Sequence, residues 1–468
     1  MYDVEQHIAG RWEPGNSDRR LSVVNPADGT PVTTVPVSSE TDVAAAVAAA
    51  REAAARWAGT APAARAAALH AAATALEAAA DELAEIMSAE MGKPVGGARE
   101  SIGAGVGTLR QYAELGPAHR GRSLAGDDEA IDLMAYGPRG VVAVITPWND
   151  PVAVSCGLLG AALVTGNTVV HKPSERTPAT GWRLVQVLAP HFPAGVLNLV
   201  NGDGAVGAAL AAAPVDVVAQ VGSTATGRSI AAACARTGAK ALLENGGKDP
   251  VIVDAGVDPA WAAQQVALGA FVNSGQICVA VERVYVHRDV AGAFLDCLAT
   301  EADRWAAEIG PMVDRRMRDA VDEQVQQAVK DGARAVRGGA VPAGPGAFYP
   351  PTVLADCTDD MTVMREETFG PVAPVMVVDS FDEGLRRAAD SPYGLAATVL
   401  TTSMSHAQQA WRALPTGTVK VNAVFGGAPA GAAHPRRGSG QGFGYGPELL
   451  DEMTATKAVH IQAPPSGW

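Results

Sequence analysis

The sequence predicts an α/β protein built on open, mostly parallel sheets with a small β extension. Three observations predict it. From Gly140 onward, short Val- and Ile-rich runs alternate with longer helical stretches, as buried parallel strands do when crossover helices join them. Gly, Pro, Asn and Ser mark the ends of those runs, where turns need them. A length of 468 residues also leaves room for about three domains with large cores.

Residues 1–40 hold short Val-rich pieces broken by Asn25-Pro26, Asp28-Gly29 and Pro36, which read as strands and turns. The segment SSETD from Ser38 looks like a cap before an alanine-rich helix. A second helix is expected over 61–91, ended by Gly92 and Pro94. Leu69, Leu76, Leu83 and Ile86 give it one apolar face. A third helix is expected over 98–115. The polar stretch 116–138 contains two strand-like pieces suited to a projecting hairpin.

GVVAVITPWN, VSCGLLGAALVTG and NTVVHKPSE then read as strand, helix and strand. Ligands on such sheets bind beyond the carboxyl ends of the strands, where Asn149 and Lys172 emerge. Lys172 reads either as an ordinary lysine or as a cofactor contact, and Glu175 has the same two readings. GDGAVG, residues 202–207, has the form GxGxxG after a strand and before a helix, a dinucleotide signature that is weak alone. No acid sits on the next strand as the usual dinucleotide scheme asks. Ser223, in GSTATG, suits either a helix N-cap or a phosphate contact. Beyond Gly247 the strands and helices resume, with helices expected over 291–308 and 313–330.

The formal net charge of −14 argues against nucleic acid or an anionic membrane as the main partner. Five cysteines without CxxC or metal-ligand spacing suit free thiols in a reducing compartment. MYDVEQHIAGRW lacks the pattern of a signal sequence, and apolar runs such as 141–145 are too short to span a bilayer. These features together predict a cytoplasmic protein.

The candidate chemistry centres on FVNSGQICVA, residues 271–280. Cys278 alone reads more readily as a small buried hydrophobe than as a nucleophile. Its context reverses that reading. Glu244 runs into two glycines in LLENGGKDP, and Asn149 follows an apolar run in ITPWND. A thiol, a carboxylate and a carboxamide, each at a Gly- or Pro-marked segment end, suit acyl chemistry.

NPADGTPV, PWN, KPSE, GSTATG, ENGGKDP, NxGQxC and EETFGPV occur in that order over most of the chain. In this the chain resembles the NAD(P)-dependent aldehyde dehydrogenase superfamily. The resemblance implies an aldehyde dehydrogenase-like fold with a Rossmann-type cofactor domain, an α/β catalytic domain and a small β oligomerisation hairpin. The corresponding spans are 1–118 with 138–246, then 247–441, then 119–137 with 442–468. It implies Cys278 as nucleophile, Asn149 and the Cys278 N–H as oxyanion donors, and Glu244 as the base that hydrolyses a thioester. It places Thr146, Trp148, Lys172, Glu175, Gly204, Gly222, Ser223, Gly246, Glu367 and Phe369 around the cofactor. Glu175 would accept from the adenosine ribose, which favours NAD while leaving NADP possible. Glu367 would accept from the nicotinamide ribose, unless it is only a solvated acid. The 119–137 hairpin would pair with the C-terminal strand in a homodimer or homotetramer. No metal ligands are apparent.

The chain departs from the family pattern at three places. Asp150 stands where Phe is usual, near the substrate tunnel, and reads first as a helix cap and second as a selector of cationic or hydroxylated aldehydes. Gly157 stands where enzymes of succinate semialdehyde often carry arginine. In 428–446, Ser439, Gly440 and Gly442 are kept while Phe443 and Gly444 replace the usual Arg-Glu. A CoA-acylating enzyme and a non-catalytic homologue are the alternatives, and the intact Asn149, Glu244 and Cys278 count against both.

Overall fold

A computed structural model describes residues 2–427, 431–432 and 434–464. Positions 428–430 and 433 of the altered run lie outside the described residues. The first helix, Glu40–Ala58, is started by Ser39, whose hydroxyl accepts from Asp42 N while the Asp42 carboxylate accepts from Ser39 N. This reciprocal cap satisfies two donors that the first turn otherwise leaves unpaired. The helix expected over 61–91 is two, Pro62–Ala78 and Ala80–Met91. At Ala79 the amide is shared between Ala75 O and Leu76 O. The break sends Ile86 into a different apolar cluster from Leu69, Leu76 and Leu83, so one stripe serves two cores.

An eight-stranded sheet carries the first half of the chain. Its order is 440–441, 240–244, 217–221, 141–145, 168–172, 197–199, 6–8 and 11–13. The strands from 240–244 through 197–199 are parallel. Their sequence order reverses between 141–145 and 217–221, which opens a crevice at the carboxyl ends of those two strands. Val141 to Val144 are fully buried between helical layers, which is why the strand is apolar on both faces.

A seven-stranded sheet carries the second half, ordered 334–337, 352–355, 372–378, 283–287, 250–253, 396–400 and 418–421. Only its edge strand 334–337 is antiparallel. In a separate three-stranded sheet the hairpin strand 130–138 pairs on one side with 122–124 and on the other with 454–462, register Thr454↔Pro138 to Gln462↔Ala130. The short strand Gly440–Gln441 crosses back to pair with 240–244, opposing Gly440 to Glu244. That crossing lays the C-terminal segment on the end of a strand almost 200 residues earlier.

Candidate active site

Helix Pro259–Phe271 runs straight into the cysteine loop. There Asn273, Ser274 and Gly275 take φ values of 52°, 56° and 69°. Left-handed backbone at non-glycine residues costs about 1–3 kcal/mol each, and the surroundings over-determine it. Ser274 Oγ donates to Gly310 O at 2.7 Å, Gln276 Nε2 to Asn273 O at 3.0 Å, and Val313 N to Gln276 Oε1 at 2.9 Å. Gly275 is required for space as well, because a Cβ there would overlap the carbonyl of Gly370.

The thiol of Cys278 donates to Glu244 Oε1 at 3.6 Å. Burial lifts the Glu244 carboxyl above its ordinary range. Burial also pushes the Cys278 thiol well up, with the charges of Glu244, Asp249 and Glu367 adding to it. A thiol so placed stays protonated near neutrality and needs a base in contact with it. Asn149 Nδ2 donates to Gln276 O at 3.1 Å, and Asn273 Nδ2 reaches Asn149 O at 3.3 Å. The amide is thereby tied to the cysteine loop itself.

Glu367 and Phe369 sit on a turn held from beneath. Gly247 N donates to Glu367 Oε1 at 3.0 Å, and a Cβ at Gly246 would overlap that carboxylate. Phe369 has φ 54° and meets Trp148 edge-on at 5.5 Å. Buried Glu282 accepts from Thr368 N and Phe369 N, both at 2.8 Å, and from Lys248 Nζ at 2.7 Å. Burial, with the Glu282 charge next, pushes the Glu367 carboxyl up to about 8.

At the sheet's crevice lies a cleft of about 480 Å³ lined by Thr146, Trp148, Lys172, Glu175, Gly204, Gly222 and Ser223. Lys172 is buried, with Nζ 3.0 Å from Pro173 O and 3.7 Å from Glu175 Oε2. Ser223 caps helix Thr224–Thr237, its Oγ accepting from Thr226 N. Gly246, Glu367 and Phe369 are not among the residues lining this cleft, although Phe369 touches its Trp148. Gln220, unmarked in the sequence, also lines the cleft with its buried Oε1 unpartnered. Its only signal was a polar residue inside a Val-rich strand. An orphaned acceptor, a buried cation and a helix N-terminus together fit a dinucleotide.

A larger cavity of about 830 Å³ shares Glu175 and Arg176 with this cleft, and Asn149, Glu244 and Cys278 line neither. Asp150 does not act as expected. It occupies the N-cap position of helix Pro151–Val164, yet its side chain makes no capping bond. Its carboxylate instead accepts from Ser101 Oγ and lies 3.8 Å from Lys93 Nζ. The ion pair and hydroxyl outcompete the helix amides.

Fold and site together define an oxidoreductase. The chain belongs to the aldehyde dehydrogenase family, whose sequence profile matches residues 12–459. It is 35% identical over 467 residues to the mitochondrial aldehyde dehydrogenase of Leishmania tarentolae, covering 97% of this chain and 94% of that one. Among solved structures it is similar to lactaldehyde dehydrogenase from Escherichia coli, with TM-score 0.95, 32% identity and coverage of 98% and 99%. It is also similar to an indole-3-acetaldehyde dehydrogenase complexed with NAD+, with TM-score 0.96, 33% identity and coverage of 99% and 97%. Among the described residues, no helix is long and apolar enough to cross a membrane.

Proposed function

We propose that this protein oxidises an aldehyde to a carboxylic acid with NAD as acceptor, through a thioester on Cys278. The observation that carries the reading is the Cys278 thiol in contact with the Glu244 carboxylate. Glu244 takes the thiol proton as the sulfur adds to the aldehyde carbon. The Asn149 amide and the Cys278 N–H take the oxyanion, donors that need little reorganisation. When bound, NAD+ supplies the hydride acceptor that makes oxidation to the thioester possible. Lys172, Glu175, Ser223 and Gln220 would hold its adenosine and phosphates, and Glu367, beside Phe369, its nicotinamide ribose. Glu244 then removes a proton from water, the hydroxide adds to the thioester, and the C–S bond breaks to return Cys278.

The Glu175 charge would repel a 2′-phosphate, which supports NAD over NADP. Asp150, its charge shared with Lys93 and Ser101, would offer the aldehyde a polar rather than a net anionic surface. The three-stranded sheet exposes Leu124, Ile131 and Ile461, apolar area that supports a homo-oligomer. The free cysteines support a reducing, cytoplasmic setting. The cofactor, catalytic and oligomerisation division set out from the sequence remains the proposed domain plan.

An aldehyde panel assayed for NADH with and without CoA tests the function. CoA-independent turnover that vanishes in Cys278→Ala is expected. Turnover only with CoA, or none with any aldehyde, overturns it.

A further inference from the structure

The carboxylate of Glu244 has two oxygens with different neighbours. Oε1 receives the Cys278 thiol, and Oε2 faces the backbone of Gly444. A Cβ built at Gly444 would overlap Oε2 and stand 3.4 Å from the carboxyl carbon. The other glycines of this run answer a different need. Gly440, Gly442 and Gly446 take φ of 129°, 81° and 82°, where only glycine sits without strain. Gly444 has no such φ, so an alanine backbone fits there and the sole obstacle is the Glu244 carboxylate.

The loop has little freedom to retreat. Phe443 N donates to Glu452 Oε1 at 3.2 Å, Gly442 N to His434 Nε2 at 3.3 Å, and Tyr112 Oη to Gly446 O at 3.2 Å. Gly440 is paired in register with Glu244 itself. An added methyl group at 444 therefore displaces the freer of the two partners, which is the end of the Glu244 side chain.

We infer that Gly444 is a positioning residue, whose missing side chain leaves the space in which Glu244 reaches Cys278. The inference rests on the proposed role of Glu244 as base. At this position, where the family pattern carries glutamate, this chain leaves the space beside the Glu244 carboxylate unfilled.

The test is Gly444→Ala, read in four ways against Glu244→Gln and the double variant. The NADH burst is expected to keep its amplitude but to slow, and steady turnover to fall about tenfold or more, as when a general base is lost. The pH midpoint for alkylation of Cys278 by iodoacetamide is expected to fall in Gly444→Ala and in Glu244→Gln alike, because the thiol loses an anionic neighbour in both. NAD affinity is expected to stay within about twofold, since no proposed cofactor contact moves. In the Glu244→Gln background, Gly444→Ala is expected to change turnover and alkylation by less than about twofold, since the two act through one group.

A wild-type alkylation profile in Gly444→Ala overturns the inference. So does an equal further loss in the Glu244→Gln background, which would mark a defect of the loop. If Gly444→Ala does not fold, Glu244→Asp shortens the acid and should restore folding in the pair; failure there also overturns it. The alkylation arm needs no aldehyde, so absence of turnover in the wild type would sink the proposed function and leave this test readable.

Discussion

Cys278 and Glu244, 34 residues apart in sequence, meet as thiol donor and carboxylate acceptor at 3.6 Å. One comes from the loop that follows a helix in the second sheet's layer and the other from the end of a strand in the first. The contact therefore exists only where the two halves of the molecule face each other. Burial makes both harder to ionise; the carboxylate's charge further opposes the thiolate, whereas the thiol's hydrogen bond eases ionisation of Glu244.

Separating the two acts of Glu244 should be possible by kinetics. Glu244→Gln keeps the shape and removes the base. A burst near one NADH per site, reached more slowly than in the wild type because the thiol has lost its base, followed by hydrolysis slowed about 10²–10⁴-fold is expected in stopped flow. Steady turnover at the wild-type rate would assign water activation elsewhere.

Asn149 is tested by its own loss. Asn149→Ala should lower kcat about 10²–10³-fold, the usual effect of removing one oxyanion donor. Because Asn149 also ties into the cysteine loop, circular dichroism melts of the variant must accompany the rates. A tenfold or smaller effect on kcat would remove it from the oxyanion site.

Glu367 should make cofactor binding depend on pH. Its carboxyl is lifted to about 8, chiefly by burial and then by Glu282, against Lys248 and the Gly247 N–H. Ribose hydroxyls donate best to the ionised form, whose fraction grows as pH rises through that value. NAD affinity, followed by Trp fluorescence, should thus strengthen by up to about tenfold from pH 7 to 9. Glu367→Gln should bind weakly and without that slope.

The Glu282–Lys248 pair should be costly to break. Both side chains are buried, and Glu282 also holds Thr368 N and Phe369 N. Glu282→Gln leaves an ammonium buried without its counter-charge, which costs about 3–5 kcal/mol. A lower urea midpoint and weakened NAD binding are expected together, because the same carboxylate supports the Phe369 turn.

Glu90 offers a stability test. It accepts from Ala179 N at 2.8 Å, Thr180 N at 2.9 Å and Thr180 Oγ1 at 2.7 Å. Burial nonetheless lifts its carboxyl from 4.5 to about 7. A folded pKa above the unfolded one means that its contribution is full below about 4.5 and is lost as pH climbs through 7. Glu90→Gln should flatten that limb in urea titrations. It should also cost about 1–3 kcal/mol, because an amide NH2 would face amide donors.

Periodicity and punctuation made the α/β class legible, since a strand buried on both faces must be apolar throughout and a crossover helix must follow it. Cys278, Glu244 and Asn149 were legible as residue types at segment ends, and the family motifs supplied their roles. Ser223 was legible as a cap because its hydroxyl serves the helix that immediately follows. Residues that act across the chain were not legible in this way. Gln220 looks like a misplaced polar group until its strand is set beside the crevice, and Asp150 looks like a cap until Ser101 arrives from another helix and Lys93 from the link before it.

Local sequence determined the strands, helices and reactive groups of this protein, because propensity, capping and turn chemistry act over a few residues. Tertiary structure alone decided which groups meet. The strand at 440–441 had to cross onto 240–244 before Gly444 could open a space for Glu244. The distance between a thiol and its base is set by how two sheets pack, which no local pattern encodes.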